Sequence, residues 1–175
     1  MALRSSRSQP VVWAISLNLL RHAKSDWSDP SLADHDRPLN GRGRKARLVM
    51  AGHVEGWDVD LVVSSTAARA RATAEPLVTT LGCELRLDPA IYDASATELL
   101  AVVRGLPDDA GSVLLVGHNP GFEDLSELLS GSSPPYPTAA LGTLELAIDR
   151  WAEAGPGAGR LTGHVTPADL GGPRG

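Results

Sequence analysis

Arg21-His22 follows the apolar run LNLL, Ser65 to Arg69 follow DLVVS, and Gly117-His118 follow SVLLV. In an open α/β sheet the loops leaving the carboxyl ends of strands converge on one crevice, so three such motifs can meet although they lie far apart in sequence. A phosphomonoester carries close to two negative charges near neutral pH, and guanidinium forks match its oxygens in pairs. Arg21 and Arg69 supply two forks. A histidine attacks phosphorus only as neutral imidazole, the dominant form at pH 7 for an ordinary pKa of about 6.5. Two neighbouring guanidiniums disfavour imidazolium further. His22 is therefore the candidate nucleophile, splitting one hard displacement into two through a phosphoenzyme. His118, arriving from another strand, is the candidate donor to the transferring phosphoryl group. Arg71 lies two residues beyond Arg69, so on a helix only one of them faces the pocket; Arg69 is preferred and Arg71 is the alternative.

The elements that must position these residues are legible as apolar runs. Strands are expected at 15–21, 60–64, 84–87, 112–117, 142–149 and 160–165, alternating with helices near 41–55, 67–81, 95–104 and 120–130. That alternation predicts an α/β fold, a three-layer sandwich with a mostly parallel sheet flanked by helices. Asn119 is expected to cap the helix after His118, with Pro120 at its first position. That helix would add its positive dipole end to the pocket. Ser25 to Leu39, with Pro30 and Pro38, and Gly131 to Pro137, with three prolines, read as loops.

The chain has 175 residues, 42% of them hydrophobic, enough for one well-buried core and too few for two comfortable domains. Residues 15–170 are expected to form that domain, with 1–14 a disordered extension and 171–175 a frayed tail. The stretch from Val11 to Leu20 is too short to span a membrane as a helix, and no small-residue cleavage site precedes Arg21, so a cytoplasmic location is expected. A single cysteine, Cys83, excludes an internal disulfide, and no Cys/His cluster has zinc-site spacing. No metal and no organic cofactor is expected. A net charge of -5 argues against nucleic-acid binding, which draws on neutralised phosphates, whereas a small anion needs only a local basic pocket.

Four segments, LLRHAKS, SSTAARARAT, LDPAIYDAS and LLVGHNPG, in this order and at these separations resemble the histidine phosphatase superfamily, specifically its SixA-like phosphohistidine phosphatase branch. The resemblance covers roughly 17–130 and implies the phosphoglycerate mutase-like fold. It implies His22 as the phosphorylated nucleophile, with Arg21, Arg69 and His118 completing the phosphate pocket. Ser28 stands six residues after His22, where many relatives place an Asn that touches phosphate; its hydroxyl can still hydrogen-bond. Asn119 joins the expected substrate contacts. Asp93 stands near the position of the acid that protonates the leaving group. Two departures stand out: the usual RHG is Arg21-His22-Ala23, and the acid is Asp rather than Glu. An imidazole leaving from phosphohistidine is far less basic than an alkoxide, so a weaker acid position suits that substrate. The implied partner is a phosphorylated protein such as a histidine-containing phosphotransfer domain. A small phosphomonoester, hydrolysed or passed on by a mutase, is the alternative, and a non-catalytic phosphoprotein adaptor is another. A mutase must shield its phosphoenzyme from water, and this short chain offers few residues for a lid.

The remaining histidines read as structural. His35 sits in a polar loop where solvation is expected, His53 near a helix end where a cation is mildly favoured, and His164 on an edge strand. The basic stretch 37–47 reads as a solvated helical start, with Arg37 and Arg42 to Arg47 as a secondary candidate surface for an acidic phosphoprotein.

Overall fold

The computed structural model describes residues 12–175, so most of the expected N-terminal extension, 1–11, lies outside the described residues. The chain runs β1 (Ile15–Arg21), α1 (Gly41–His53), β2 (Leu61–Ser64), α2 (Ala68–Leu81), β3 (Glu84–Leu87), α3 (Ala96–Arg104), β4 (Ser112–Gly117), α4 (Gly121–Ser130), β5 (Leu141–Leu146) and β6 (Gly159–Val165). The strands form one sheet in the order β3-β2-β4-β1-β5-β6. Four neighbours, β3, β2, β4 and β1, run parallel, while β5 and β6 are antiparallel additions at one edge. This is the expected three-layer α/β sandwich with a mostly parallel sheet.

Alternation along each strand divides the core in two, because successive side chains point to opposite faces. Leu17 and Leu19 of β1, with Val113 and Leu115 of β4, face Leu99 and Val103 of α3 and Phe122, Leu125 and Leu129 of α4. Leu20, Val62, Leu114 and Val116 face Met50 of α1 and Ala70, Ala74 and Leu77 of α2. The side chains of both central strands are buried whichever way they point, which is why LNLL and VLLV are nearly unbroken apolar runs. Among the described residues, no helix is long and apolar enough to cross a membrane.

Register places the chemistry. Arg21 at the end of β1 is opposite Gly117 at the end of β4, and Ser64 ending β2 is opposite Val116. The ladder continues one residue past the strands: the His22 N–H donates to Gly117 O (2.9 Å) and the Ser65 N–H to Val116 O (2.9 Å). Three strand ends therefore deliver His22, Ser65 and His118 side by side. His22 and Ser65 get their places from these backbone hydrogen bonds, and His118 follows directly on the last residue of β4.

Local sequence accounts for the helices around them. The Asn40 side chain caps α1 by accepting from the Gly43 N–H (2.9 Å). Gly43 then lies against the Lys24 backbone, where any Cβ would collide with the carbonyl, so glycine lets α1 press on the segment that follows His22. Ser95 and Glu98 form a capping box on α3. The start of α4 differs from expectation: Pro120 is the N-cap, and Asn119 makes no capping bond. The side-chain amide of Asn119 instead donates to Glu123 Oε1 and Tyr136 O, both at 2.9 Å. The last residues lie against the domain, with the Gly172 N–H donating to Pro167 O (2.8 Å) and Gly175 beside Thr138.

Candidate active site

A cavity of about 610 Å³ opens at the carboxyl ends of β1, β2 and β4, lined by Arg21, His22, Lys24, Ser25, Trp27, Asp34, Arg37, Arg69, Tyr92, Asp93, His118, Asn119 and Thr138. His22, Arg69 and His118 form its floor, each less than a tenth exposed. Their ring and fork geometry is tight. The His22 and His118 ring centroids are 5.1 Å apart, and Arg69 Nε donates to His22 Nε2 at 3.3 Å.

The other ring nitrogen fixes the state of His22. Nδ1 lies 2.7 Å from the Ala23 carbonyl oxygen. A carbonyl only accepts, so Nδ1 carries the proton and Nε2 presents its lone pair to the cavity. Burial pushes this imidazole down to about 3; the Ala23 carbonyl opposes that shift, while His118, Arg69 and Arg21 add to it. His118 is pushed down to about 4, first by burial and then by Arg69. Both rings are neutral at pH 7. His118 Nε2 meets Ser65 Oγ at 2.8 Å, and Ser65 Oγ accepts from the Ala67 N–H at 3.2 Å.

Arg69 projects from the first turn of α2. Thr73, one turn on, bonds back to Arg69 O (2.7 Å) and accepts from the Ala23 N–H (2.9 Å), tying α2 to the chain beside His22. Arg71 points elsewhere: it is exposed and pairs with Glu75 at 3.6 Å. Arg21 Nη1 donates to Tyr136 O at 2.8 Å, which brings the proline-rich loop 131–137 to the pocket. Arg21 Nε and Asn119 Oδ1 are buried without a hydrogen-bond partner among the described residues.

The rim belongs to the loop Ser25 to Leu39 and to the segment after β3. Asp34 is its hub: the carboxylate accepts from Arg69 Nη2 (3.0 Å), Arg37 Nη2 (2.7 Å) and the Tyr92 hydroxyl (2.6 Å), and its carbonyl accepts from Arg69 Nη1 (2.8 Å). The Tyr92 hydroxyl first, then Arg37 and Arg69, hold this carboxyl well below the usual carboxylate range. Asp93 lines the rim in the left-handed region, φ 51°, and is exposed.

Of the residues expected from sequence, Arg21, His22, Arg69, Asp93, His118 and Asn119 all line this cavity, and Ser28 does not. Ser28 is exposed and its N–H binds the Asp26 carboxylate (2.7 Å), because the loop turns outward there; Ser25, Trp27, Asp34 and Arg37 are the loop residues that line the cavity. His35 is half-buried rather than solvated, with Nε2 at 2.8 Å from Thr66 Oγ1 and its ring edge-on to Tyr92. Arg37, expected as a solvated cation, is turned inward, bonded to Ser25 Oγ (2.7 Å) and stacked on Trp27 at 3.4 Å. Arg44 and Arg47 bond to the Leu39 and Ala72 carbonyls, which leaves Arg42 and Lys45 as the cations of that stretch without a side-chain partner among the described residues. Sequence reasoning missed Asp34, Tyr92 and the role of Ser65. The available signal was Asp34-x-x-Arg37, a charge pair one 3₁₀ turn apart inside an otherwise irregular loop.

The site is thus a strand-end crevice with a neutral imidazole aimed into it and the guanidiniums of Arg21, Arg37 and Arg69 in its lining. Comparison with known proteins gives it a family. Residues 17–100 match the histidine phosphatase superfamily (branch 1). A chloroplast-labelled, uncharacterised protein of Arabidopsis thaliana is 33% identical over 168 residues, covering 86% of this chain and 77% of the relative. An uncharacterised protein of Mycobacterium tuberculosis is 33% identical over 165 residues, covering 85% of this chain and 99% of the relative. The solved structure of SixA from Agrobacterium tumefaciens, provisionally assigned there as a phosphohistidine phosphatase, superposes with TM-score 0.74 at 28% identity over 88% of this chain and 99% of that one. The chain belongs to the histidine phosphatase superfamily, and its fold is that of the SixA phosphohistidine phosphatases.

Proposed function

We propose that this protein hydrolyses phosphohistidine on a signalling phosphoprotein, with His22 as the nucleophile. The observation that carries the reading is the His22 ring: Nδ1 is committed to the Ala23 carbonyl, so the Nε2 lone pair faces the cavity beside Arg69, Arg21 and His118. Nε2 forms a bond to phosphorus as the bond from phosphorus to the substrate nitrogen breaks. The leaving nitrogen keeps the electron pair and takes up a proton. Water then attacks phospho-His22, the P–Nε2 pair returns to the ring, and inorganic phosphate departs with the water proton passed to solvent.

Arg21 and Arg69 offset the phosphoryl charge, and the Arg69 Nε bond shifts from His22 Nε2 to a phosphate oxygen. With Ser65 donating to Nε2 of His118, the His118 Nδ1–H is the donor to an equatorial oxygen. Asn119 closes the same wall. The lining contains two carboxyls. Asp34 is held ionised by three donors and is unsuited to give up a proton, so Asp93 takes the role of acid toward the leaving group. The cavity, about 610 Å³, has room for the group that carries the phosphoryl as well as for the phosphoryl itself.

The test is phosphate release, with chelator present, from a phosphohistidine-bearing phosphotransfer protein and from a small phosphomonoester, by wild type and His22→Ala. Expected is release from the protein by wild type alone, with a fall of about 10⁴-fold or more in the variant. Preference for the small ester would make the protein a metabolic phosphatase. Binding without turnover in both forms would make it an adaptor, and turnover surviving in His22→Ala would sink the mechanism.

A further inference from the structure

The pocket sorts charge by depth. The floor carries Arg69 between two neutral rings, with the half-buried Arg21 beside them. The outer wall carries the carboxylate of Asp34, whose side chain is half exposed, and Asp93 stands exposed at the rim. Arg37 is paired with Asp34, so each offsets part of the other's charge and Arg37 adds no free cation to that wall. Its fork is taken up by Asp34 and Ser25, and its face lies on Trp27. Lys24 is the remaining cation of the lining.

In an in-line displacement the leaving group lies opposite His22, on the solvent side, so the part of the substrate beyond phosphorus passes the outer wall. Asp34 cannot retreat from it. Both carboxylate oxygens and the carbonyl oxygen are engaged by Arg69, Arg37 and Tyr92, which fixes at that depth a carboxylate whose charge the two guanidiniums only partly offset, its side chain being half exposed. The Arg69 fork that touches Asp34 is the same group that must meet the phosphoryl oxygens. Asp34 therefore aims Arg69 and faces the leaving group at once.

We propose that Asp34 sets leaving-group specificity: it admits phosphoryl groups carried on neutral or cationic groups, the imidazole of phosphohistidine among them, and turns away esters that bear a carboxylate. This rests on the phosphatase reading above for what the pocket does with a phosphoryl group. It goes beyond that reading in assigning selectivity to a positioning residue of the loop. A carboxylate on the substrate within several ångströms of Asp34, in a half-exposed setting, loses about tenfold in affinity relative to a neutral isostere, and a cation gains a similar factor.

The experiment is binding of three matched phosphonates, benzylphosphonate and its 4-carboxy and 4-trimethylammonio derivatives, to wild type, Asp34→Asn and Asp34→Glu by calorimetry. Expected for wild type is the order cationic, neutral, anionic. In Asp34→Asn the ratio of the extremes should shrink about a hundredfold, about tenfold on each side of the neutral ligand, and Asp34→Glu should restore it. An unchanged ratio in Asp34→Asn would overturn the proposal. An equal loss for all three ligands would overturn it as well, since Asp34 would then only support Arg69. Turnover of phenyl phosphate by wild type, and its absence in His22→Ala, tests the phosphatase reading separately, because the phosphonates report charge selection whether or not the protein catalyses.

Discussion

His22, Ser65 and His118 stand one residue past three adjacent parallel strands, whereas Asp34, Tyr92 and Asp93 come from segments that meet only through side chains. The sheet ladder places the first group, down to the His22 N–H on Gly117 O and the Ser65 N–H on Val116 O. Three donors converging on one carboxylate hold Asp34 and Tyr92 together, with Asp93 next in the chain after Tyr92. A floor built on strand ends is rigid before any ligand arrives, while a rim built on a charge network depends on every member being present. Arg69 is the residue that belongs to both, since Nε reaches His22 and the two Nη atoms reach Asp34.

Arg69 therefore offers the largest effect by which to break the comparison. Lysine keeps the charge and loses the fork, so Arg69→Lys should lower kcat/KM by about 10²–10³-fold. Arg71→Lys, at an exposed pair with Glu75, should leave it within about twofold. Steady-state kinetics on one phosphomonoester decide the matter. A few-fold loss in Arg69→Lys would mean that charge alone suffices and that the three-way bonding of Arg69 is incidental.

The floor can be tested apart from the rim through acid stability. Folded His22 and His118 take up protons only near pH 3 and 4, whereas the unfolded rings do so near 6.5. Between those limits the unfolded chain binds more protons, so stability falls as pH drops from about 6.5 toward 4, by on the order of a few kcal/mol for the pair. Asp34 is shifted downward as well, so its contribution is also lost as pH falls, but only from the ordinary carboxylate pKa of about 4 downward, below the histidine window. Urea midpoints at pH 7.5, 5.5 and 4.5 should fall more steeply in wild type than in a His22→Asn, His118→Asn double variant. Equal slopes would show that the floor does not hold its histidines neutral.

The same division explains what the sequence could reveal. Apolar runs marked all six strands and four helices to within a few residues, because buried strands and amphipathic helices carry their periodicity locally. The strand-end motifs then needed only topology to bring them together. Strand direction is not local information, so the antiparallel pairing of β5 and β6 was not specified by their sequences. The rim was illegible for the same reason: Tyr92 reaches Asp34 across 58 residues, and nothing near either marks the other. Asn119 shows a local rule overridden, its capping role yielding to acceptors on Glu123 and Tyr136 that the fold supplies. Ser28 shows a position carried over by spacing alone, in a loop whose path spacing does not determine.

Ser28 supplies the smallest effect and a sharp one. It shares the loop with Asp34 and Trp27, so a loop acting as one flexible flap would carry any change there into the pocket. The structure argues otherwise. The Ser28 N–H is tied to Asp26, the Ser31 N–H and hydroxyl are tied to Asp29, and Ser25 is bridged to Leu39, so the tip is braced locally and the pocket wall independently. Ser28→Ala keeps that backbone bond and removes only an exposed hydroxyl. Stability should stay within about 0.5 kcal/mol, and kcat and KM should match wild type within error. A KM increase in this variant, at unchanged melting temperature, would mean that the tip folds inward when substrate binds, and the rim would then have to be described as a closing loop rather than a fixed wall.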